Sequence, residues 1–335
     1  MSNLEPIKFT EVSVLESSLS AKIERYFDTL DTDPDVLAQL LSDKRSQNTR
    51  DAYAKDIRDF FREMTNGEPT QDRVLEFLHL EERQAIAAVL KYKSQLFKRG
   101  LKEATVNRRL AAIKSLVLMG KKLGVCAYSL TDLIKGEKAE KYRDTSGVSR
   151  EAFRLILQQC DRNTTKGKRD YALLRLLWDN VLRRGEIAQA NIGDFNAGDR
   201  TLKIKGKGKG TQIQGIDLAP TTVAALTEWL DVRHQQSAEK PLFIALDFAN
   251  HGHRLTGEAI RYTVDKLSQK AGIAKKMSPH RVRHSAITAA LDATDGNIRK
   301  VQKLSRHADP RTLMIYDDNR AKDQDELSGL LADMV

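Results

Sequence analysis

The stretch Ser278–Tyr316, SPHRVRHSAITAALDATDGNIRKVQKLSRHADPRTLMIY, carries two clusters of basic and imidazole side chains on helical patterns. His280 with Arg283 is the first, Arg306 with His307 the second, and Tyr316 follows them. A spacing of three puts His280 and Arg283 on one helix face, and the planar fork of an arginine matches two phosphate oxygens. A tyrosine hydroxyl, with a pKa of about 10, is a poor nucleophile in water and needs neighbouring cations and a proton acceptor before it attacks anything. Arginine and histidine supply both, and the substrate class that fits the set is a phosphodiester. Taken alone, HRVRH reads more readily as a solvated basic turn of a surface helix, so the decision lies upstream.

There, WDNVLRRGEIAQANIGDF places Arg183 directly after the apolar run ALLRLLWDNVL, with Glu186 three residues later to orient it. A helix begins or turns at this point. In the segment KIKGKGKG, Leu202 and Ile204 alternate with polar residues, Lys207 stands between Gly206 and Gly208, and Ile213, Ile216 and Leu218 lie beyond. That pattern predicts a β-hairpin with a lysine on a flexible turn.

With these residues in hand, the chain resembles the tyrosine recombinases of the phage-integrase and Xer family. The family pattern is an arginine in a G-L-R-x-S-E-L stretch, a lysine on a β-hairpin, H-x-x-R, a histidine or tryptophan, and then the tyrosine; Arg183, Lys207, His280, Arg283, His307 and Tyr316 meet it in order. Val181 stands where the pattern has Gly, Gly185 where Ser is common, and Arg306 in the Gly place of L-G-H. None of these departures removes a charge or a proton donor from the set. The resemblance implies a mainly α fold with a small β-hairpin or sheet, in which an N-terminal helical core-binding (SAM-like) bundle precedes a mixed α/β catalytic domain. It also implies that Arg183 and Arg283 clamp the scissile phosphate, that His307 adds a hydrogen bond, and that Tyr316 attacks phosphorus and keeps the 3′ phosphate. Lys207 is then the donor to the departing 5′ oxygen, and His280 accepts the tyrosine proton. Glu186 supports Arg183, with a helix cap or surface charge as its plainer role. His284 reads as packing or backbone bonding.

The formal charge of +10 is uneven: residues 1–43 carry nine acidic and three basic side chains, which leaves +16 on the remainder. A basic body of that size suits a polyanion. The two cysteines, Cys126 and Cys160, form no C-x-x-C, and no paired histidines stand at zinc spacing. This predicts a reducing compartment, with neither a disulfide frame nor a structural metal, and no cofactor is expected. His251 and His253 sit beside turn residues and read as loop. With no apolar run of membrane length and no export-like start, the expected location is the cytoplasm, on the nucleoid.

Along the chain, residues 1–45 read as an acidic appendage with helices near Ser20–Leu30 and Asp35–Leu41. Residues 46–134 read as a helical DNA-binding bundle of four helices. Its first helix carries Tyr53, Ile57, Phe60 and Met64 on one stripe; Gln71–Leu78 and Glu82–Lys98 follow, the latter with Ile86, Val89, Leu90 and Leu96 inward. The fourth, Ala104–Leu123, has Thr105 as a cap and Val106, Leu110, Ile113 and Val117 inward. It also carries Asn107, Arg108 and Arg109, which read as a solvated face by composition and, under the resemblance, as contacts that position DNA phosphates. KGEKAEKYRDTSG, 135–147, reads as a linker that lets two basic lobes close on a duplex. The catalytic domain then covers 148–335, with helices at Ser149–Cys160, Lys168–Leu182, Thr221–Gln235, Thr256–Ala271, His280–Thr294, Gly296–Leu304 and Thr312–Tyr316, and PLFIAL as a short strand or extended connector.

After Tyr316, an acidic helix carries a stripe of Leu327, Leu330, Leu331 and Met334. Folding back on its own domain is the plain expectation; the resemblance implies docking on a neighbouring protomer of a tetramer assembled on two double-stranded DNA sites. An accessory protein or partner recombinase fits the same picture, and the short N-terminal appendage resembles no arm-site domain. Two rivals stand beside this reading: a type IB topoisomerase-like nicking-closing enzyme that uses the same catalytic set, and a catalytically silent DNA-binding regulator that has kept the fold, against which the intact six-residue set argues.

Overall fold

The computed structural model describes residues 34–138, 147–206, 212–233, 237–318 and 323–334. The helix expected near Ser20–Leu30 lies outside the described residues, as does Lys207. The chain divides into two compact units, 1–141 and 142–335.

In the first unit, apolar residues at helical spacing close one core from helices α1 (Val36–Asp43), α2 (Gln47–Thr65), α3 (Gln71–Leu78), α4 (Glu82–Lys98) and α5 (Glu103–Lys122). Ile57, Phe60 and Phe61 of α2 meet Val74, Phe77 and Leu78 of α3, and Val106, Leu110, Ile113 and Val117 of α5 complete the floor. Phe60 sits at the centre, with its ring edge-on to Phe61, Phe77 and Tyr92 at 5.3, 5.1 and 5.2 Å, a geometry that adds to simple burial. Two details differ from the sequence expectation. Helix α1 belongs to this core, with Val36 and Leu40 buried, although its segment reads as an acidic appendage. On α4, Leu90 is 46% exposed and Tyr92 takes the inward place instead, because its hydroxyl finds a half-buried partner, donating to Asp59 at 2.6 Å. The start of the expected linker is also tied down: the Glu137 N–H donates to Asn107 Oδ1 at 2.7 Å, and Asn107 Nδ2 donates to the Glu137 carbonyl at 2.8 Å.

In the second unit, α6 (Arg150–Gln158) and α7 (Thr165–Asp179) lead to a short α8 (Arg184–Gln189). An antiparallel sheet of β1 (Phe195–Asn196), β2 (Thr201–Lys205) and β3 (Ile213–Asp217) follows. Leu202 pairs with Ile216 and Ile204 with Gln214, and Leu202 and Ile204 are buried in the core. Strand β1 escaped the sequence reading because two residues are too few to show an alternation. Then come α9 (Pro220–Asp231), α10 (Gly257–Lys270), α11 (Pro279–Asp292), α12 (Ile298–Ser305), α13 (Arg311–Asp318) and α14 (Asp323–Ala332). Between α9 and α10, PLFIAL is extended, with single bridges from Pro241 to Asn191 and from Ile244 to Arg254.

Side-chain caps fix where the helices of this unit start: Ser149, Thr164, Thr256, Ser278 and Asn297 each accept a first-turn N–H, worth about 1 kcal/mol apiece. Leu173, Leu174, Leu176 and Leu177 of α7 are fully buried with Leu226 and Trp229 of α9 and Ile260 and Val264 of α10, each contributing on the order of 1.5–3 kcal/mol. A smaller apolar cluster of Val181, Ala286, Ile287, Leu291, Val301, Leu313 and Tyr316 lies at the end of α7. The clusters of basic residues are built on it.

Candidate active site

Helix α7 stops at Asp179, and the chain turns through Asn180 and Val181 before Arg183, in extended backbone, caps α8. Glu186 reaches back across that cap: Oε2 accepts the Arg183 N–H and Oε1 accepts Arg183 Nη1, each at 2.8 Å. The carboxylate is 3% exposed, so it is a fixed internal strut. Arg183 spends one nitrogen on it; its other guanidinium nitrogens have no partner among the described residues, and its side chain is 28% exposed.

Arg283 arrives from α11, one turn after His280, and is 2% exposed. It donates through Nη1 to the Val181 carbonyl and through Nη2 to the Ser305 carbonyl, and Nη2 lies 3.4 Å from His307 Nε2. No carboxylate pairs with it among the described residues. Burial first, and then the positive charges of Arg183 and Arg306, push its pKa down to about 9, while Glu186 and the Tyr316 hydroxyl pull the other way. Arginine therefore stays charged at neutral pH but is held in a place that disfavours its charge, the condition an arriving anion relieves.

His307 follows the C-terminus of α12 and hangs from two anchors: its Nδ1 is 3.0 Å from Ser305 Oγ, and its carbonyl accepts Gln302 Nε2 at 3.1 Å. Burial, and then Arg283, Arg183 and Arg306, push its pKa down to about 4. At neutral pH it is an uncharged hydrogen-bonding group. Tyr316, on α13, is 4% exposed, with its ring stacked on His284 at 4.7 Å and 6.4 Å from the His307 ring. His284 in turn meets His280, Nε2 to Nε2 at 2.7 Å. His280, Arg283, His307, Tyr316, Arg183 and Glu186 are thus gathered from α8, α11, α12 and α13 around one spot. Lys207 is outside the described residues.

Two members of this cluster were named in the sequence without a place in the site: His284 as packing or backbone bonding, Arg306 as one of a basic pair. His284 sits between His280 and Tyr316; the signal was there, since a spacing of four places it on the face of His280. Arg306 is buried beside Glu186, donating to Oε2 at 3.2 Å, and nothing in its neighbours in sequence foretells that partner.

Asn107, Arg108 and Arg109 belong to the other unit and are occupied there. Arg109 is 8% exposed and bonds Asp59, Arg108 bonds the fully buried Asp56, and Asn107 holds the Glu137 backbone. Helix α5 begins at Glu103 with Lys102 as its N-cap in place of Thr105, and Arg109 lies on its buried side with Val106, Leu110 and Ile113. As contacts for DNA phosphates, Arg109 and Asn107 are spent inside the fold. Among the described residues, no group of three or more His, Cys, Asp or Glu is arranged to hold a metal ion.

Chemically, the cluster offers two forks for an anion, a neutral imidazole, a histidine pair and a phenol in one place. Residues 148–323 match the phage integrase family, and residues 37–119 match the phage integrase N-terminal SAM-like domain. A tyrosine recombinase of Synechocystis sp. is 51% identical over 300 residues, covering 90% of this chain and 95% of that protein. One from Synechococcus elongatus is 46% identical over 324 residues, covering 97% and 98%. The fold is similar to that of XerH site-specific recombinase in a post-cleavage complex with palindromic difH substrate, with a TM-score of 0.61 at 19% identity over 84% of this chain and 80% of that one. The chain belongs to the phage integrase family and is a tyrosine-type site-specific DNA recombinase.

Proposed function

We propose that this recombinase cleaves and rejoins DNA through a 3′-phosphotyrosyl link at Tyr316, with four protomers pairing two double-stranded sites. The reading rests on one observation: Arg283, buried without a carboxylate partner among the described residues, stands 3.4 Å from His307 in the cluster that holds Tyr316. A phosphodiester brings the negative charge that this arrangement lacks. Arg183 and Arg283 hold the nonbridging oxygens and His307 adds a hydrogen bond. Preorganised donors of this kind act where charge grows in the transition state.

The Tyr316 oxygen attacks phosphorus, the bond from phosphorus to the 5′ oxygen breaks, and the phenolic proton passes to the His280–His284 pair. Lys207 protonates the departing 5′ oxygen. The tyrosyl ester conserves the energy of the broken bond, so a 5′ hydroxyl from another strand reverses the step and restores the phenol. Strand exchange needs no external energy source on this scheme.

Helix α14 leaves Leu330, Leu331 and Met334 exposed, at 51%, 64% and 78%, which supports its docking on a neighbouring protomer. Deleting residues 325–335 is expected to leave the binding of one protomer to DNA intact and to abolish higher assembly in a native gel; an unchanged tetramer would reject the docking. No described helix is long and apolar enough to cross a membrane.

The test of the reading is covalent capture. Nicked duplexes with randomised arms are incubated with the protein, and DNA that stays bound after denaturation is recovered and sequenced. A defined site linked through Tyr316 is expected, and none with Tyr316→Phe, which should still bind DNA. Capture by the phenylalanine variant would end the assignment of the nucleophile. Recovery of adducts with no shared sequence would favour a nicking-closing enzyme instead.

A further inference from the structure

Two residues of the site hold a backbone shape that side chains resist. φ is +51° at Val181 and +56° at Arg306, the left-handed region that glycine occupies freely and a β-branched residue avoids. A valine held there is strained and relaxes unless its surroundings prevent it. Val181 is fully buried in the apolar cluster beneath Tyr316, and its carbonyl accepts from Arg283 Nη1 and from Arg306 Nη2, the latter at 3.2 Å. Arg306 Nη1 adds bonds to the carbonyls of Asn180 at 3.1 Å and Leu304 at 2.9 Å. Its Nη2 also reaches Glu186 Oε2 at 3.2 Å, the oxygen that accepts the Arg183 N–H.

The side chain of Arg306 is not needed to end its own helix. Its backbone N–H already closes α12 on the Gln302 carbonyl at 2.8 Å, and glycine in the same conformation makes that bond with less strain. Yet the fork is buried, at 7% exposure, near the guanidinium groups of Arg183 and Arg283, with Glu186 as its carboxylate partner among the described residues. Desolvating a third like charge is unfavourable, so the contacts it makes must offset that.

We infer that Arg306 is a positioning residue: it clamps the strained Val181 turn and the back of Glu186, and so fixes Arg183 and Arg283 in one frame for a single phosphate. The inference rests on the recombinase reading above and adds a group that does not touch the reacting atoms. Arg183 is reached through Glu186, Arg283 through the shared Val181 carbonyl. Consistent with this closeness, the Arg306 charge is among the causes that lower the pKa values of Arg283 and His307.

The test uses the full chain and the nicked duplex recovered by covalent capture. Arg306→Gly suits the left-handed backbone, so it should keep the melting temperature and the affinity for the duplex while its single-turnover cleavage falls about 10- to 100-fold, the usual result of slight misplacement. Adding Val181→Gly removes the strain that Arg306 opposes and should restore most of the lost rate. Should Arg306→Gly fail to fold, Arg306→Met, which keeps the stem and deletes the fork, must show the same split between binding and cleavage. Cleavage at the wild-type rate, a parallel loss of binding and cleavage, or no recovery with Val181→Gly would each overturn the inference. A wild-type chain that forms no adduct at all would instead sink the recombinase reading.

Discussion

Two clusters of arginines, one in each unit of this molecule, are balanced in opposite ways. In the first, Arg99, Arg108 and Arg109 face Asp56, Asp59 and Glu63. Burial pushes Asp59 up, but its hydrogen bonds from Arg99 and Tyr92 and the Arg109 charge prevail and hold it below the usual carboxylate range; the bond to Asp59 raises Arg99. Asp59 and Arg99 favour each other's charge, whereas burial raises the pKa of Asp56 against the hydrogen bond and charge of Arg108. In the second unit, Arg183, Arg283 and Arg306 share only Glu186 among the described residues, and burial lowers both Arg283 and Arg306. A closed network of matched charges holds a bundle together, whereas an open one with surplus positive charge waits for an anion. Counting basic residues does not separate the two; their carboxylates do.

The contrast can be broken by removing one arginine from each side. Arg109→Met leaves Asp59 and the buried Asp56 facing too little positive charge, and losing one partner of a buried pair costs about 3–5 kcal/mol. Chemical denaturation of the full chain should show the first transition displaced by that amount, and an unchanged midpoint would mean the network is not structural. Arg283→Met should do the reverse: cleavage of the captured duplex falls roughly 10²–10³-fold, while stability moves by no more than about 1 kcal/mol, since a desolvated charge leaves with the fork. A large drop in stability with cleavage retained would invert the comparison.

The smallest effect sharpens it through pH. His307, with its pKa pushed down to about 4, binds no proton in the folded state where an unfolded histidine, with a pKa of about 6.5, already binds one. Its contribution to stability is therefore complete above about pH 6.5 and is lost as pH falls toward 4, by on the order of 2–3 kcal/mol. Thermal melts across that window should lose less stability in His307→Gln than in the wild type; parallel curves would show that the surplus charge does not act on the imidazole.

Much of this was legible in advance for a common reason. Helical stripes such as Val106, Leu110, Ile113 and Val117, and start signals such as Ser149 and Thr256, are local, so the boundaries of most helices follow from spacing and caps. Arg183, Glu186, His280, Arg283, His307 and Tyr316 could be named because each sits in a short ordered motif. Arg109 misled because its neighbours Asn107 and Arg108 made a basic turn look solvated; its partner Asp59 lies fifty residues away in sequence. Leu90 and Tyr92 exchanged roles for the same kind of reason, since only the position of Asp59 makes the tyrosine hydroxyl welcome inside.

By itself, then, the sequence determined which elements form and which chemical groups the chain possesses, because hydrophobic period, capping and residue type act over a few residues. Tertiary structure alone decided which buried arginines are neutralised and which are left in surplus, and that Arg306 braces the turn at Val181. Those outcomes depend on distances between groups far apart in the chain, and electrostatic energy in a desolvated interior is governed by such distances and by nothing the local sequence records.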